Sequence, residues 1–522
     1  MANETPVNSF VNSTYPELVN FSILNELYGN KEGREDERVF HFMPRSATKS
    51  HQINVVGLAQ AIIGFTRNFS DESAEVVTTE KRRQYYLNPE PNFFMILTMS
   101  VPRKDTNATG GHSVTQYDHG KVPDRVYGSV LKQAYKAFKF FHGKFQNILD
   151  ESGEDKLRAQ LNFFTSYFER LDFASCDVLT IFEGIKFLPI DKDTYLRVQS
   201  FAGSLEHELF TEIGFSGVEV SSFFMYLDFL IWSSLNQTDT QVLYEHMVKK
   251  VIPESLKNEL LVTDSVPTYT GQFVHPSYGP EGEEFGDIGS GIDQFHNVPH
   301  AVSGDAESVR TVYLGSGDSF SATGGKESKL RANWLVIYRS KNMWVCLLID
   351  KASKPELKLD FFRRVHGFLG PGLSSLSDDV VISLDRHKMT QNTGGNGGPQ
   401  MHPHLVCYIY FNRMNLATRA QNADRSNSAN RLASSHELML QLCDLHNDLN
   451  NQPMHSSRDP NKQSEFIERL AKNNQGYWLY GRISHQREVY MVINNKEKAL
   501  KDVYETMASI LETEFGNLFY AV

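Results

Sequence analysis

Several groups of residues in this chain are of the types that chemistry uses, and their spacing decides what each can do. His402, His404 and Cys407 lie close enough in sequence to invite zinc, and a strand beginning near Leu405 would put His402 and His404 on one side. A zinc site needs a second ligand pair at short spacing and none follows, so satisfied or solvated histidines are expected there and at His112 and His119. Gly315 to Lys326 ends in Gly324-Gly325-Lys326, but Phe320 and Glu327 stand where a phosphate loop carries its first glycine and its hydroxyl. There is no Gly-x-Ser-x-Gly elbow and no HExxH helix. The acidic pairs Asp378-Asp379 and Glu283-Glu284 are placed in loops, with nothing to raise a pKa. The expectation is a chain that makes no bonds, holds no cofactor and no metal, and works by presenting surfaces.

Those surfaces must be carried by folded elements. The chain has 522 residues, 40% hydrophobic, 12% aromatic and 22% charged, which is enough for three or four globular domains. A net charge of −11 argues against nucleic acid as the main ligand. Met1 to Tyr15 is polar without a signal pattern, and the longest apolar run, around Phe223 to Leu235, is broken by Asp228. Cys176, Cys346, Cys407 and Cys443 are scattered with no CxxC pair, as in reduced cytosolic proteins. A cytoplasmic chain without a membrane span is expected. The basic run Lys81-Arg82-Arg83 adjoins Tyr85 and Tyr86; it suits an acidic partner or a phosphoinositide head group, or is simply an exposed strand start.

One stretch stands out. Ile53 to Phe69 wound as a helix gathers Val55, Leu58, Ile62, Phe65 and Phe69 on one side, an ordinary core-facing stripe. The other side carries Gly57, Ala61 and Gly64 with Asn54, Gln60, Arg67 and Asn68, shouldered by Val56 and Ile63. Its only charge is Arg67, so it lacks the coat of a solvated helix, and two internal glycines cost about 1 kcal/mol each relative to alanine. Two alternatives account for this: a surface for a second protein, the reading adopted, or a helix enclosed on both sides by its own chain. The candidate contact residues are therefore Asn54, Val56, Gly57, Gln60, Ala61, Ile63, Gly64 and Arg67.

Around it the periodicities give strands at Leu18–Tyr28 and Val39–Met43, the helix just described (N-capped by Ser50), strands at Glu80–Leu87 and Phe93–Val101, a polar loop Arg103–Lys121 and a long helix Val126–Leu149. A second series runs from the helix Glu154–Leu171 through a strand-like Val178–Leu188, a helix Thr194–Phe210, a strand-like Val218–Ile231 and a helix Thr240–Val251. Pro267 to Ser328 is rich in Gly, Ser and Asp, with only Val309–Leu314 strand-like. A third series has hairpins at Trp334–Asp350 and Tyr477–Ile493, helices at Leu357–Leu369, Leu432–Leu449 and Lys496–Glu514, a strand Leu405–Phe411 and a flexible loop Asp385–Gln400. The domain plan is a flexible lead 1–17, a first domain 18–152, a linking helix and second domain 153–266, a disordered insertion 267–328 and a third domain 329–522. The fold class is α/β (α+β), with antiparallel sheets flanked by helices.

The residues also carry a resemblance. Phe21-Ser22-Ile23-Leu24-Asn25 with Tyr28 to Glu35 resembles the first hairpin of the Ccz subunit of the Mon–Ccz vacuolar fusion complex. Asn54-Val55-Val56-Gly57-Leu58, on through Ala61-Ile62 to Phe65–Ser70, resembles that family's most recognisable motif. Lys81 to Tyr86, Pro89 to Phe93, and Tyr477-Trp478-Leu479-Tyr480-Gly481-Arg482 are similar to later segments; Phe94 departs from the family's Trp. The resemblance implies three longin domains and no enzyme chemistry. It implies a heterodimer with a Mon subunit that acts as guanine-nucleotide exchange factor for the late-endosomal or vacuolar Rab GTPase, in endosome maturation, lysosome or vacuole fusion and autophagy. Further implications are a regulatory subunit and peripheral attachment to endosomal and lysosomal membranes. The alternatives are a Hermansky–Pudlak-type longin subunit serving lysosome-related organelle Rabs, and a trafficking adaptor without exchange activity.

Overall fold

The computed structural model describes residues 15–70, 74–106, 114–212, 214, 217–261, 271–274, 310–315, 330–352, 357, 359–393, 404–422, 436–451, 466–494 and 500–515. These cluster into two compact units, the first holding residues up to Phe138, Lys144–Phe182 and the helix within Arg431–His455, the second holding the remainder.

In the first unit, β1 (Leu18–Asn25), β2 (Val39–Met43), β3 (Val76–Thr78), β4 (Arg82–Glu90) and β5 (Phe93–Ser100) form an antiparallel sheet in the order β2-β1-β5-β4-β3. Strand β5 is central and buried along nearly its whole length, as its unbroken apolar run predicts. Helix α1 (Lys49–Arg67) crosses between β2 and β3. The polar loop predicted at Arg103–Lys121 contains a small hairpin of β6 (Arg103–Thr106) and β7 (Val114–Tyr117).

The single long helix predicted over Val126–Leu149 is broken into α2 (Asp124–His142) and α3 (Phe145–Gln160), followed by α4 (Asn162–Glu169) and α5 (Val178–Phe182). The break has a local cause. Gly143 sits at φ +91°, a conformation that ends a helix, and the restarted helix finds a buried acceptor. Glu90 Oε1 accepts from Phe145 N and the Tyr135 hydroxyl, both at 2.7 Å, and Oε2 accepts from Gln146 N at 2.9 Å. Burial nevertheless raises the Glu90 pKa, because desolvation outweighs those bonds.

In the second unit, α6 (Lys192–Gly203) runs through one wide turn into α7 (Phe210–Glu212). Predicted as one apolar stretch, Val218–Ile231 is a hairpin of β8 (Val220–Tyr226) and β9 (Phe229–Ser233), turning at Leu227 with φ +53°. Helices α8 (Gln237–His246) and α9 (Ile252–Leu261) follow. Strands β10 (Gln272–Val274) and β11 (Arg310–Leu314) both pair with β12 (Arg331–Ser340), which continues through β13 (Met343–Asp350) to β8 and β9.

This pairing corrects the domain plan. Residues 331–350 belong to the second sheet and not to a third domain starting at 329, because the largely apolar β13 pairs with β8, register Cys346 to Phe223. Most of the predicted insertion 267–328 lies outside the described residues; β10 and β11 are the parts within them. Helix α10 (Leu359–Thr393) covers this sheet and carries Asp378 and Asp379, predicted in a loop, paired with Lys341 and Arg197.

The third sheet has the order β15-β14-β18-β17-β16, built from β14 (Leu405–Asn412), β15 (Thr418–Asn422), β16 (Phe466–Lys472), β17 (Trp478–Ser484) and β18 (Arg487–Ile493), with α12 (Leu500–Phe515) packed on it through Met507, Ile510 and Leu511. Helix α11 (His436–Asn451), predicted within the third domain, packs in the first unit against α5, where the His446 and Phe182 rings meet at 5.2 Å.

Candidate partner-binding site

The first sheet presents two apolar faces, and the alternation of β1 and β5 assigns their residues. Phe21, Phe93 and Met95 point to the side of α2, α3 and α4, where Phe138, Phe145, Phe163, Phe164 and Phe168 form a closed aromatic cluster. Leu24, Phe94 and Ile96 point to the other side, with Phe42 and Tyr86, and there α1 is the helix that covers them among the described residues.

Helix α1 starts at Lys49, one residue before the predicted cap. Thr48 is extended and its hydroxyl accepts from His51 N at 3.3 Å, so it is the N-cap and Ser50 lies in the first turn. The helix sets Val56, Ala59 and Ile63 on the sheet, each 1% exposed. This reverses the expected faces. Leu58, Phe65 and Phe69, read as core, are 58%, 64% and 75% exposed, and the Phe65 and Phe69 rings meet each other at a tilt of 51° with centroids 4.8 Å apart. Val55 and Ile62 are half-buried at the margin. The reason is one of volume. The sheet supplies large side chains, and Val56 and Ile63 flanking the small Ala59 let the helix descend onto them, which a Leu-Phe-Phe stripe would prevent.

The predicted contact residues therefore divide. Asn54, Ala61 and Gly64 are exposed, and a Cβ added to Gly57 or Gly64 would meet nothing within 4 Å. Val56 and Ile63 are core residues and cannot touch a partner. Gln60 and Arg67 are held by their own chain. The Gln60 side-chain oxygen accepts from Arg38 Nη1, and Arg38 also donates to the carbonyls of Tyr28 and Gly29. Arg67 Nη1 donates to both carboxylate oxygens of Glu26 at 3.0 and 3.1 Å, with its guanidinium 5.3 Å from the Phe94 ring. Together they brace the β1–β2 connection against α1. What remains outward is a nearly uncharged strip of Asn54, Gly57, Leu58, Ala61, Gly64, Phe65 and Phe69. The signal for Leu58, Phe65 and Phe69 was in the sequence, as a second apolar stripe on one helix.

The other candidates fare differently. Arg83 is taken up by the fold: its Nη1 donates to the Val122 carbonyl at 2.7 Å and to Asp124 Oδ1 at 2.5 Å, and its side chain is only 14% exposed. Lys81 and Arg82 are exposed. Cys407 is buried on β14, and burial pushes its thiol up to about 12. His402 and His112 lie outside the described residues, as does the Gly-rich segment beyond Gly315. Among the described residues no three His, Cys, Asp or Glu side chains converge as a metal site would require. No described helix is long and apolar enough to cross a membrane. A groove of about 280 Å³ in the second unit is lined by Phe187, Trp232, Met414 and other uncharged residues, with no acid or base among them.

Three antiparallel sheets flanked by helices, the first with a helix face left open, define a protein of three longin domains. The family model for the first longin domain of INTU, CCZ1 and HPS4 matches residues 18–143, and those for Intu longin-like domains 2 and 3 match 220–370 and 404–510. Over nearly its whole length the chain is similar to proteins named Vacuolar fusion protein CCZ1 homolog. It is 31% identical to that of Nematostella vectensis over 97% of this chain and 98% of the relative. It is 30% identical to that of Xenopus tropicalis over 97% of each, and 26% identical to that of Dictyostelium discoideum over 96% and 97%. The chain belongs to the CCZ1 family of vacuolar fusion proteins.

Proposed function

We propose that this chain is one subunit of a heterodimeric guanine-nucleotide exchange factor, paired with a Mon subunit and acting on the late-endosomal or vacuolar Rab GTPase. The observation that carries the reading is the open face of α1, where three large apolar side chains stand beside small residues on a domain otherwise closed by its own helices. An exposed apolar strip with polar neighbours marks a protein interface. Gly57, Ala61 and Gly64 let a partner backbone come close, and Leu58, Phe65 and Phe69 supply the buried area that gives affinity.

Exchange asks no covalent chemistry of this chain. The factor binds the nucleotide-free GTPase better than the loaded one and shifts the equilibrium by that difference, remodelling a switch segment whose Mg²⁺ and phosphate contacts hold nucleotide. Lys81 and Arg82 add positive charge near the start of β4, suited to an acidic partner or to the surface of an endosomal or lysosomal membrane.

The test is release of labelled GDP from a panel of Rabs by the chain alone and mixed with a Mon subunit. Little release alone and fast release by the pair from the late-endosomal Rab is the expected result. Fast release by the chain alone would defeat the shared-platform account. Activity only with a Hermansky–Pudlak-type partner would assign the paralogous role, and Rab binding indifferent to nucleotide loss would leave an adaptor.

A further inference from the structure

The stretch 178–188 was expected to be a strand, and the fold uses only its second half that way, in an uncommon manner. After the short helix α5, residues Ile185–Leu188 run extended between the edges of two different sheets. On one side Ile185 commits both its peptide groups to the third domain: its N–H donates to the Leu416 carbonyl and its carbonyl accepts from Thr418 N, both at 2.8 Å. On the other side the next peptides go to the second domain: Leu230 N donates to the Lys186 carbonyl at 2.8 Å and Leu188 N donates to the Leu230 carbonyl at 2.9 Å. The segment thus makes one parallel bridge on each side, Phe187 with Leu230 of β9 and Ile185 with Ala417 just before β15, and so links the margins of the second and third sheets within one unit.

Its anchorage is unequal. Helix α8 holds it to the second domain, since Gln241 Nε2 donates to the Glu183 carbonyl at 2.7 Å and Lys186 N donates to the Tyr244 hydroxyl at 3.2 Å. Lys186 Nζ also lies 3.0 Å from Asp228 Oδ2. Contact with the third domain includes one very close approach, since a Cβ on Gly184 would lie 2.3 Å from Thr418 Oγ1 and 2.4 Å from Thr418 Cβ. No side chain fits there unless the strand withdraws.

We propose that Glu183–Leu188 is a splice that fuses the second and third longin domains into one cooperative body, with Gly184 as the residue that permits it. The two sheets then open together, and each gives up an edge strand that would otherwise present unpaired peptide groups to water. Any surface spread over the two domains is held at fixed geometry.

Hydrogen exchange on the full chain in increasing urea tests this, comparing wild type with Gly184→Ala, Thr418→Gly and the double variant. In the wild type, peptides containing Ile185, Leu230 and Thr418 are expected to lose protection together with the central strands β13 and β14. Gly184→Ala should speed exchange at Ile185 and Thr418 about a hundredfold and separate the opening of the third sheet from that of the second. The double variant removes the clashing Cβ and should restore protection to the level of Thr418→Gly alone. The proposal is overturned if Gly184→Ala exchanges like wild type, or if the double variant restores nothing. It is equally overturned if wild-type β14 opens at lower urea than β13 while residues 183–188 stay protected, a reading that holds even where Gly184→Ala does not fold.

Discussion

The two faces of the first sheet solve the same problem in opposite ways. One is covered by α2, α3 and α4, whose phenylalanines interlock until nothing apolar of that side is left in water; Phe138, Phe145 and Phe164 are each fully buried. The other is covered, among the described residues, by α1 alone, which buries a narrow stripe of Val56, Ala59 and Ile63 and turns Leu58, Phe65 and Phe69 outward. A three-helix cover is closed, whereas a one-helix cover leaves Leu58, Phe65 and Phe69 in water. The difference teaches where this protein is finished by itself and where, on the function proposed above, it would meet another chain.

Substitutions on the closed face should produce the largest losses. Phe138 packs on Phe145, Phe163 and Phe164 with ring centroids 4.9 to 5.7 Å away, so Phe138→Ala leaves a cavity in a cluster that cannot collapse and is expected to cost about 3–5 kcal/mol in urea unfolding. The inward stripe of α1 comes next. Ile63→Ala should cost about 2–5 kcal/mol. If Phe65→Ala were the costly change and Ile63→Ala the harmless one, the two faces of α1 would be the reverse of those described.

That orientation is also what the sequence did not disclose. Four of the five strands of the first sheet were legible, because β1, β4 and β5 alternate or run apolar between clear turns and Val39–Met43 was legible to the residue, whereas the three-residue edge strand β3 was not. In α1 the 3.6-residue period revealed a helix with two apolar stripes, but period alone carries no phase when both stripes are apolar. Deciding which goes inside required the volumes of Leu24, Phe42, Phe94 and Ile96 on the sheet, which are brought together only by folding. The roles of Gln60 and Arg67 were hidden for the same reason, since Arg38 and Glu26 are distant in sequence. The boundary at 329 failed because β13 looks as much like the start of a domain as the centre of one, and only its pairing with β8 distinguishes them.

The closed face also predicts a pH dependence. His41 of β2 lies beside Phe21 and Phe164, 3.3 Å from the Thr165 hydroxyl, and burial, aided by the charge of Arg45, lowers its pKa to about 4. The unfolded chain takes up a proton near 6.5 and the folded one does not, so this contribution is complete above pH 6.5 and is lost as pH falls through 4. His41→Gln should remove up to about 3 kcal/mol of the acid destabilisation between those limits. An unchanged slope of stability against pH would show that the side chain is hydrated in the fold.

On the open face stability and assembly should separate. At Gly57 and Gly64 an added Cβ meets nothing within 4 Å, and Gly57→Leu and Gly64→Leu remove glycine from a helix interior, so each should stabilise the isolated chain by up to about 1 kcal/mol. The same two changes fill the space through which a partner backbone approaches, so nucleotide release by the assembled pair should fall. Unchanged release from a normally assembled complex would remove α1 from the interface.

The smallest stability effect and the sharpest test belong to Phe65. Among the described residues its ring meets the Phe69 ring, and it is 64% exposed, so Phe65→Ser removes little that folding buries and should alter unfolding by less than about 0.5 kcal/mol. In a complex the same ring would be desolvated, and aromatic anchors at the centre of an interface lose 2 kcal/mol or more on truncation, roughly a thirtyfold weaker affinity. Co-purification with a Mon subunit, measured beside urea unfolding of the chain alone, therefore reads two quantities that one residue should move by very different amounts. Equal and small changes in both would mean that the exposed ring is a surface residue without a partner. Equal and large changes would mean that α1 is turned the other way on its sheet. Only a large loss of association with unchanged folding fits a helix that is finished on one side by its own sheet and on the other by a second protein.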